Sequence, residues 1–215
     1  MFPLIAPSHH TLTVIGDDGA RAEVRERILD VAEKHIRHIG HQKTNVADIA
    51  DELGMSRANV YRFFPTRAAI DHGLYARFAE QALEAIRDIA RSTAPARVKL
   101  VAIIETLHYR IRRHLAEERN IHALFVAAAG ENWRVTRSYF EQLTADLEAV
   151  IHDGQKASEL PAADPSKTAQ SIITAMISFL HPVLVEQRVS DGGDIDADLD
   201  LHVRFVLRAL EISKG

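Results

Sequence analysis

The 215-residue chain contains no cysteine, which excludes disulfide bonds and thiolate metal ligands and suits a reducing compartment. No apolar run approaches the ~20 residues that a membrane-spanning helix needs. The first twenty residues hold no lysine or arginine and include Asp17 and Asp18, a composition that does not fit a secretory signal peptide. We therefore expect a soluble, cytoplasmic protein.

Motifs that carry enzyme chemistry are also missing. The sequence has no Gly-rich phosphate loop, no nucleophile elbow and no paired catalytic carboxylates. Its twelve histidines are many for this length, but no His-Glu-x-x-His pair occurs among them. We therefore predict no metal site, no cofactor and no enzyme, and an all-α enzyme is the least favoured alternative function.

Hydrophobic residues make up 47% of the chain and charged residues 26%, which is typical of a globular protein. The length allows one substantial core, or a small head on a larger body. Apolar residues repeat with helical spacing between turn signals, and no strand pattern is present. The sequence therefore predicts an all-α fold with about nine helices.

Residues 44–67 have the pattern of two short helices joined by a tight turn. Asn45 is a good N-cap for the first helix, and Gly54 can adopt the left-handed conformation that ends it. Ser56 is a good N-cap for the second helix, which Pro65 terminates. The apolar residues of the first helix share one face: Val46, Ile49, Ala50 and Leu53. This arrangement predicts a helix-turn-helix that fits the major groove of DNA.

The second helix is locally cationic, because the chain has three arginines and no acid between Met55 and Ile70. Arginine can chelate guanine and asparagine can form two bonds to adenine, so we predict that Arg57 and Asn59 read bases. Other polar side chains nearby are expected to hold phosphates. These are Thr44, Ser56, Tyr61 and Arg67, with Lys43 as a further candidate and Arg62 able to serve in either role. The alternative is a solvated face of an ordinary helical pair.

The net charge of −4 argues superficially against a nucleic-acid partner. Residues 21–75, however, contain nine basic and eight acidic residues, so the acidic excess lies elsewhere in the chain. We therefore expect DNA affinity to depend on the local placement of arginines, with modest long-range steering.

The run Arg27-Ile28-Leu29-Asp30-Val31-Ala32, then Gly40, then Thr44 to Arg67 resembles the N-terminal DNA-binding region of TetR/AcrR-type regulators, above all in Val60-Tyr61-Arg62-Phe63-Phe64-Pro65-Thr66-Arg67. The resemblance covers roughly residues 22–75. It implies a three-helix DNA-binding head, a divergent helical body that senses a ligand and dimerises, and repression relieved by a small molecule.

The predicted domains are a flexible arm (1–20), the DNA-binding head (21–66) and a ligand-sensing and dimerisation domain (67–215). Helix one is expected over 21–39 and a long fourth helix over 67–90, with Gly154 ending the seventh. The side chains of helix one predicted to face the core are Val24, Ile28, Val31, Ala32, His35 and Ile39.

Two C-terminal helices, 167–189 and 196–212, are apolar on much of their surface and so require burial on more than one side. Meeting their copies from a second subunit, they would form a four-helix dimer interface. Intramolecular burial alone is the alternative. In a homodimer, two heads would enter successive major grooves about 34–36 Å apart, so the expected partner is a near-palindromic double-stranded operator.

Aromatic residues of the body can line a ligand cavity between helices. We predict Tyr109, Trp133 and Phe179 as walls of a site for a small-molecule effector, with His108 and Arg112 as its polar groups. Their alternative role is in the core. A second functional hypothesis is a DNA-binding protein without an effector, which acts through protein partners.

Overall fold

The computed structural model describes the backbone of residues 13–211 and the side chains of residues 19–211. Within that range the chain forms ten helices and no strand. The helices are α1 (Thr13–Ile39), α2 (Val46–Glu52), α3 (Arg57–Phe63), α4 (Arg67–Arg91), α5 (Ala96–Glu117), α6 (Arg119–Gly130), α7 (Arg134–Lys156), α8 (Pro165–Leu180), α9 (Pro182–Ser190) and α10 (Ile195–Glu211). The prediction of an all-α fold is confirmed.

Helix α1 begins at Thr13, so residues 13–20 are helical where the sequence predicted a flexible arm. Gly16 and Gly19 suggested a loop, but a glycine costs a helix only about 1 kcal/mol relative to alanine and does not by itself end one. Residues 1–12, the rest of the predicted arm, lie outside the described residues. The end of α1 is as predicted, because Gly40 has a φ of +85°.

The core of the head is formed by the inner faces of α1 to α3 and the start of α4. Its fully buried side chains include Ile28, Ala32, Ile36, Ile49, Val60, Phe64 and Ile70. The predicted core face of α1 needs correction at His35, which lies at the edge with Nε2 3.0 Å from Glu52, while Leu29 and Ile36 point inward instead.

The head's core continues into α6. Ile121, Leu124 and Ala128 are fully buried in the same cluster as the head's apolar residues. A second cluster joins the later part of α4 to α5, α7, α8, α9 and α10. Helix α4 therefore contributes to both clusters, and α6 fixes the head to the body.

Helix α7 does not end at Gly154 but continues to Lys156. Gly154 is buried, and a Cβ there would lie 2.5 Å from the Cβ of Ala96, at the start of α5. This glycine therefore permits the close approach of α5 to α7, which explains its presence better than the predicted helix end.

The helix predicted over 167–189 is broken at His181 into α8 and α9. Pro182 supplies no backbone N–H and disfavours the helical conformation of the residue before it, so the chain bends there. This break accounts for ten helices instead of about nine. Within the described residues no single helix is both long and apolar enough to cross a membrane. The pair α8 and α9 together meets these two criteria, but the two helices are bent by 46° relative to each other.

Candidate nucleic-acid interface and ligand cavity

The helix-turn-helix is built from the local signals that the sequence contains. The Asn45 side chain accepts a hydrogen bond from the backbone N–H of Asp48 at 2.9 Å, which caps α2. Gly54 follows α2 with a φ of +64°. The Ser56 hydroxyl then accepts from the N–H of Asn59 at 3.2 Å and caps α3. The predicted caps and turn are therefore confirmed.

Helix α3 is held by its inner face. Val60 and Phe64 are buried against the head's core. The Arg25 guanidinium lies 4.2 Å from the centroid of the Phe64 ring and donates to the carbonyl oxygen of Phe63 at 2.6 Å. Gly73 of α4 lets this ring approach, since a Cβ there would lie 2.8 Å from it. These contacts fix the orientation of α3 on the head.

The opposite face of α3 is open to solvent. Arg57, Tyr61 and Arg62 are exposed and Asn59 is half-buried. Within the part of the chain that the structure describes, neither Arg57 nor Arg62 pairs with a carboxylate. Two guanidinium groups on α3 are therefore exposed and available to bind anionic oxygens or base edges.

Two of the predicted phosphate contacts, Thr44 and Arg67, are engaged inside the head. Thr44 is only 3% exposed, and its hydroxyl donates to the Gly40 carbonyl at 2.9 Å. Arg67 donates to the carbonyl oxygens of Thr44 at 2.7 Å and His41 at 2.6 Å, and pairs with Asp71 at 2.7 Å. In this structure both side chains stabilise the head itself, and Arg67 fastens the loop before α2. Lys43 and Ser56 remain exposed.

The Arg67→Met variant is expected to lose about 2–3 kcal/mol of unfolding free energy, because charge-assisted hydrogen bonds contribute about 1.5–3 kcal/mol each and the loop carbonyls lose their donor. Urea denaturation measures this loss. The exposed cation nearby gives a matched control, and Lys43→Met should change stability by less than about 0.5 kcal/mol. A fully stable Arg67→Met protein would restore Arg67 as a phosphate ligand.

A cavity of about 460 Å³ lies between helices α4, α5, α6, α7 and the α8–α9 junction. Its walls are mainly apolar and include Phe78, Leu107, Ile111, Phe125, Phe140 and Leu143. Its polar groups include Tyr75, Arg110, His114, Thr136, Tyr139 and His181. This size and this mixture of groups are typical of small-molecule sites.

None of the five residues predicted to bind a ligand lines this cavity. His108 is fully buried, with Nδ1 3.0 Å from the Phe179 carbonyl oxygen and Nε2 3.4 Å from Asp196. Arg112 donates to the same Asp196 carboxylate at 3.1 Å. These side chains join α5 to α8 and α10, and they do not face the cavity.

The two aromatic residues left from that prediction also lie elsewhere. Tyr109 is half-exposed on α5. Trp133 is buried beside His72 and Tyr75, and its indole N–H donates to Glu131 at 2.8 Å. Trp133 therefore backs the wall that Tyr75 forms, without facing the cavity.

The predicted residues of α5 lie on a different face from those that line the cavity. The residues that line the cavity, Leu107, Arg110, Ile111 and His114, have the spacing of a single helical face. His108 is offset from Arg110 by two residues, which places it about 200° around the helix. The periodicity defines both faces, but only the packing decides which one borders a cavity.

Two histidines in the cavity wall are partly desolvated. Burial lowers the pKa of His114, although the Glu118 carboxylate 2.5 Å from Nδ1 acts in the opposite direction. Burial also lowers the pKa of His181, whose Nδ1 is buried without a hydrogen-bond partner among the described residues. Both rings are therefore neutral near pH 7. His114 donates from Nδ1 to Glu118, so its Nε2 can only accept, whereas Nδ1 of His181 is free to donate or accept. No group of three possible metal ligands occurs among the side chains of residues 19–211.

An all-helical chain that presents an anchored, cationic helix beyond a tight turn is a helix-turn-helix DNA-binding protein. Its family follows from sequence comparison. The profile described as "Bacterial regulatory proteins, tetR family" matches residues 28–70, and "Tetracyclin repressor-like, C-terminal domain" matches residues 96–199. Together they cover more than half of the chain, which therefore belongs to the TetR family of non-enzymatic, DNA-binding transcriptional regulators.

Solved structures share the fold. A TetR/AcrR-family regulator from Thermobifida fusca is 21% identical with a TM-score of 0.65, over 86% of this chain and 97% of that one. FadR from Bacillus subtilis, in complex with stearoyl-CoA, is 18% identical with a TM-score of 0.61 (84% and 96%). A regulator from Saccharomonospora viridis, in complex with choline, is 20% identical with a TM-score of 0.60 (88% and 96%). No curated protein sequence matches significantly.

Proposed function

We propose that this regulator is a cytoplasmic homodimeric repressor that leaves its operator when a small molecule occupies the cavity between α4 and α8. The observation that carries this proposal is the presence of an exposed cationic helix and a partly polar, mostly apolar cavity in one chain. The similar structures with bound stearoyl-CoA or choline support a ligand-responsive body.

The DNA contacts proposed for the head use the exposed face of α3. Arg57 stands at the first turn, where its guanidinium can bond guanine, and Asn59 can pair with adenine. The phosphate contacts proposed around them come from four exposed residues: Arg62, Tyr61, Ser56 and Lys43. Acidic residues of α2 face away, since Glu52 is paired with Lys34 at 2.8 Å and Asp48 with Asn45 at 2.6 Å.

The dimer interface proposed for the body uses the outer faces of α8 and α10. Leu201 and Phe205 are 61% and 69% exposed on neighbouring turns of α10, and apolar groups of that size at one helical face favour a partner helix. A two-fold axis through this face would relate the two copies of α3 by the same symmetry as the two halves of a palindrome. The operator is then a near-palindrome with half-sites about 34–36 Å apart.

A chain of polar contacts connects the cavity to the head. His114 lines the cavity and lies 2.5 Å from Glu118, which in turn pairs with Arg37 of α1 at 2.7 Å. Asn120 donates to the Arg37 carbonyl oxygen at 3.0 Å. The corner between α5 and α6 is therefore bonded to the last turn of α1 by an ion pair and a hydrogen bond. A ligand that displaces His114 would move this corner and with it the head, provided that the ligand binds the two conformations with different affinity.

The proposal is tested with the full-length protein. Selection from random DNA duplexes should yield a near-palindromic operator, and fluorescence anisotropy then gives the operator affinity. A thermal-shift screen that includes stearoyl-CoA and choline identifies compounds that stabilise the protein. At least one of these should weaken operator binding by about 10-fold or more. If no stabilising compound changes operator affinity, the effector-independent alternative is the better description.

The Arg37→Gln variant is expected to reduce the effect of the ligand on operator affinity from about 10-fold or more to below about threefold, because the contact between the corner and α1 is lost. Ligand affinity should stay unchanged, since Arg37 lies outside the cavity wall. Arg27→Gln on the same helix is the matched control, as Arg27 is exposed and without an ion-pair partner among residues 19–211. A full ligand response in Arg37→Gln would rule out this route.

A further inference from the structure

Arg110 is a cation in the cavity wall that has no counter-ion. It lies on α5, half-buried, and lines the cavity together with apolar side chains of the same helix. Within residues 19–211 no carboxylate lies within ion-pair distance of its guanidinium, whereas Arg37, Arg67, Arg77 and Arg87 all have such partners. The cation next to it, Arg113, adds further positive charge.

The environment of Arg110 opposes its charge. Burial lowers the pKa of Arg110 and the proximity of Arg113 lowers it further, while the Tyr139 phenol acts in the opposite direction and no carboxylate contributes. Arginine nevertheless stays protonated at neutral pH. A partly desolvated guanidinium without an anion is unfavourable, and an anionic ligand group would supply the missing partner in a two-bond geometry.

The other charged groups of the cavity wall do not neutralise it. Arg137 and Glu141 are both exposed on α7, at the solvent side of the cavity, and His114 and His181 carry no charge near pH 7. The buried Nδ1 of His181 lacks a hydrogen-bond partner in the described part of the chain. The wall therefore offers one half-buried cation without a counter-ion, Arg110, and the free Nδ1 of His181.

The rest of the wall is apolar. Phe78, Phe125 and Phe140 contribute aromatic surface, and Leu107, Ile111 and Leu143 contribute aliphatic surface. A cavity of about 460 Å³ lies at the lower part of the range for small-molecule sites. A hydrophilic anion would leave this apolar surface without an apolar partner. An uncharged apolar compound would leave Arg110 without an anionic partner.

We propose that the cavity binds an organic acid with an apolar body, whose carboxylate pairs with Arg110 and whose aliphatic or aromatic part packs among the three phenylalanines. This inference rests on the proposed function, in which the cavity is the effector site, and adds the chemical class of the effector. Arg110 is then the residue that selects the charge of the ligand.

The test uses matched probes with the full-length protein: 4-phenylbutyrate, octanoate and decanoate, each with its alcohol and its amine. Isothermal titration measures affinity, and the single tryptophan, Trp133, packed against the cavity-lining Tyr75, provides a second signal. At least one acid should bind about 10-fold or more tightly than its alcohol, and its amine should bind more weakly still.

The Arg110→Met variant should lose about 30-fold of the affinity for the acid and less than about threefold of that for the alcohol, because the charge is lost and the apolar volume is kept. Arg113→Met is the matched control, since Arg113 is an exposed neighbour on the same helix, and it should keep the preference for the acid. If Arg110→Met does not fold, the inference is still tested by whether the wild-type protein binds the acid more tightly than the alcohol.

Equal binding of acid and alcohol by the wild-type protein overturns the inference, as does the absence of binding by all three acids at millimolar concentration. A preference for the acid that persists in a folded Arg110→Met protein also overturns it. Failure of the proposed function is seen separately: an acid that binds through Arg110 but leaves operator affinity unchanged supports this ligand class and contradicts ligand-controlled release.

Discussion

Replacement of Phe205 by glutamate is expected to convert the proposed dimer into a monomer and to lower operator affinity by about 100-fold or more. Phe205 is the most exposed of the large apolar side chains in the described residues, and Leu201 lies one helical turn before it on α10. In a two-fold symmetric interface each substitution occurs twice, and two carboxylates would replace two apolar rings where the subunits pack together. The monomer itself should fold, because Phe205 makes little contact within its own chain.

Light scattering at micromolar concentration measures the mass of the variant, and anisotropy measures its operator affinity. Val98→Glu provides the matched control, since Val98 is also apolar and 54% exposed but lies on α5, which is not one of the two helices of the proposed interface. This control should remain dimeric with unchanged operator affinity. A dimeric Phe205→Glu protein that binds its operator normally would show that subunits associate through another surface.

The head could be predicted closely because its signals are local. Asn45 and Ser56 each cap a helix through a hydrogen bond three residues away, and Gly40 and Gly54 adopt positive φ angles where the helices end. Each of these features depends on a few neighbouring residues. The family resemblance rests on the same residues, which explains why both routes led to the same helix-turn-helix.

The ligand cavity could not be predicted because it depends on packing between distant segments. Helix α5 has polar groups on both of its faces, at His108 and Arg112 on one and at Arg110 and His114 on the other. The first pair bonds Asp196, and His108 also bonds the Phe179 carbonyl oxygen; both partners lie far along the chain. Nothing in the local sequence of α5 distinguishes a satisfied buried histidine from one that borders a cavity.

Arg67 shows a second reason why the role of a residue is hard to predict from sequence. Its position next to the helix-turn-helix and its charge suggested a phosphate ligand, but its guanidinium bonds two loop carbonyls and Asp71. A charged side chain near a binding surface can serve either the surface or the fold. The decision rests on the direction of its long side chain, which the spacing of residues does not fix.

Arg57→Ala is expected to reduce operator affinity by about 100-fold or more, because a two-bond arginine–guanine contact contributes about 1–3 kcal/mol and a dimer makes it in both half-sites. The loss should be concentrated on the operator, with much weaker effects on random duplex DNA. The salt dependence should change little, since the slope reports neutralised phosphates. Anisotropy titrations on both duplexes at several salt concentrations measure all three quantities.

Two further variants separate base reading from general charge loss. Arg91→Ala removes an exposed cation at the far end of α4, paired with Asp88, and should leave operator affinity unchanged. Arg62→Ala, if it removes a phosphate contact from each subunit, should weaken both duplexes similarly and lower the salt slope by about 2. If Arg57→Ala instead weakens binding to both duplexes similarly and lowers the salt slope, Arg57 holds phosphate. The reading of bases would then rest on Asn59 and other groups of α3.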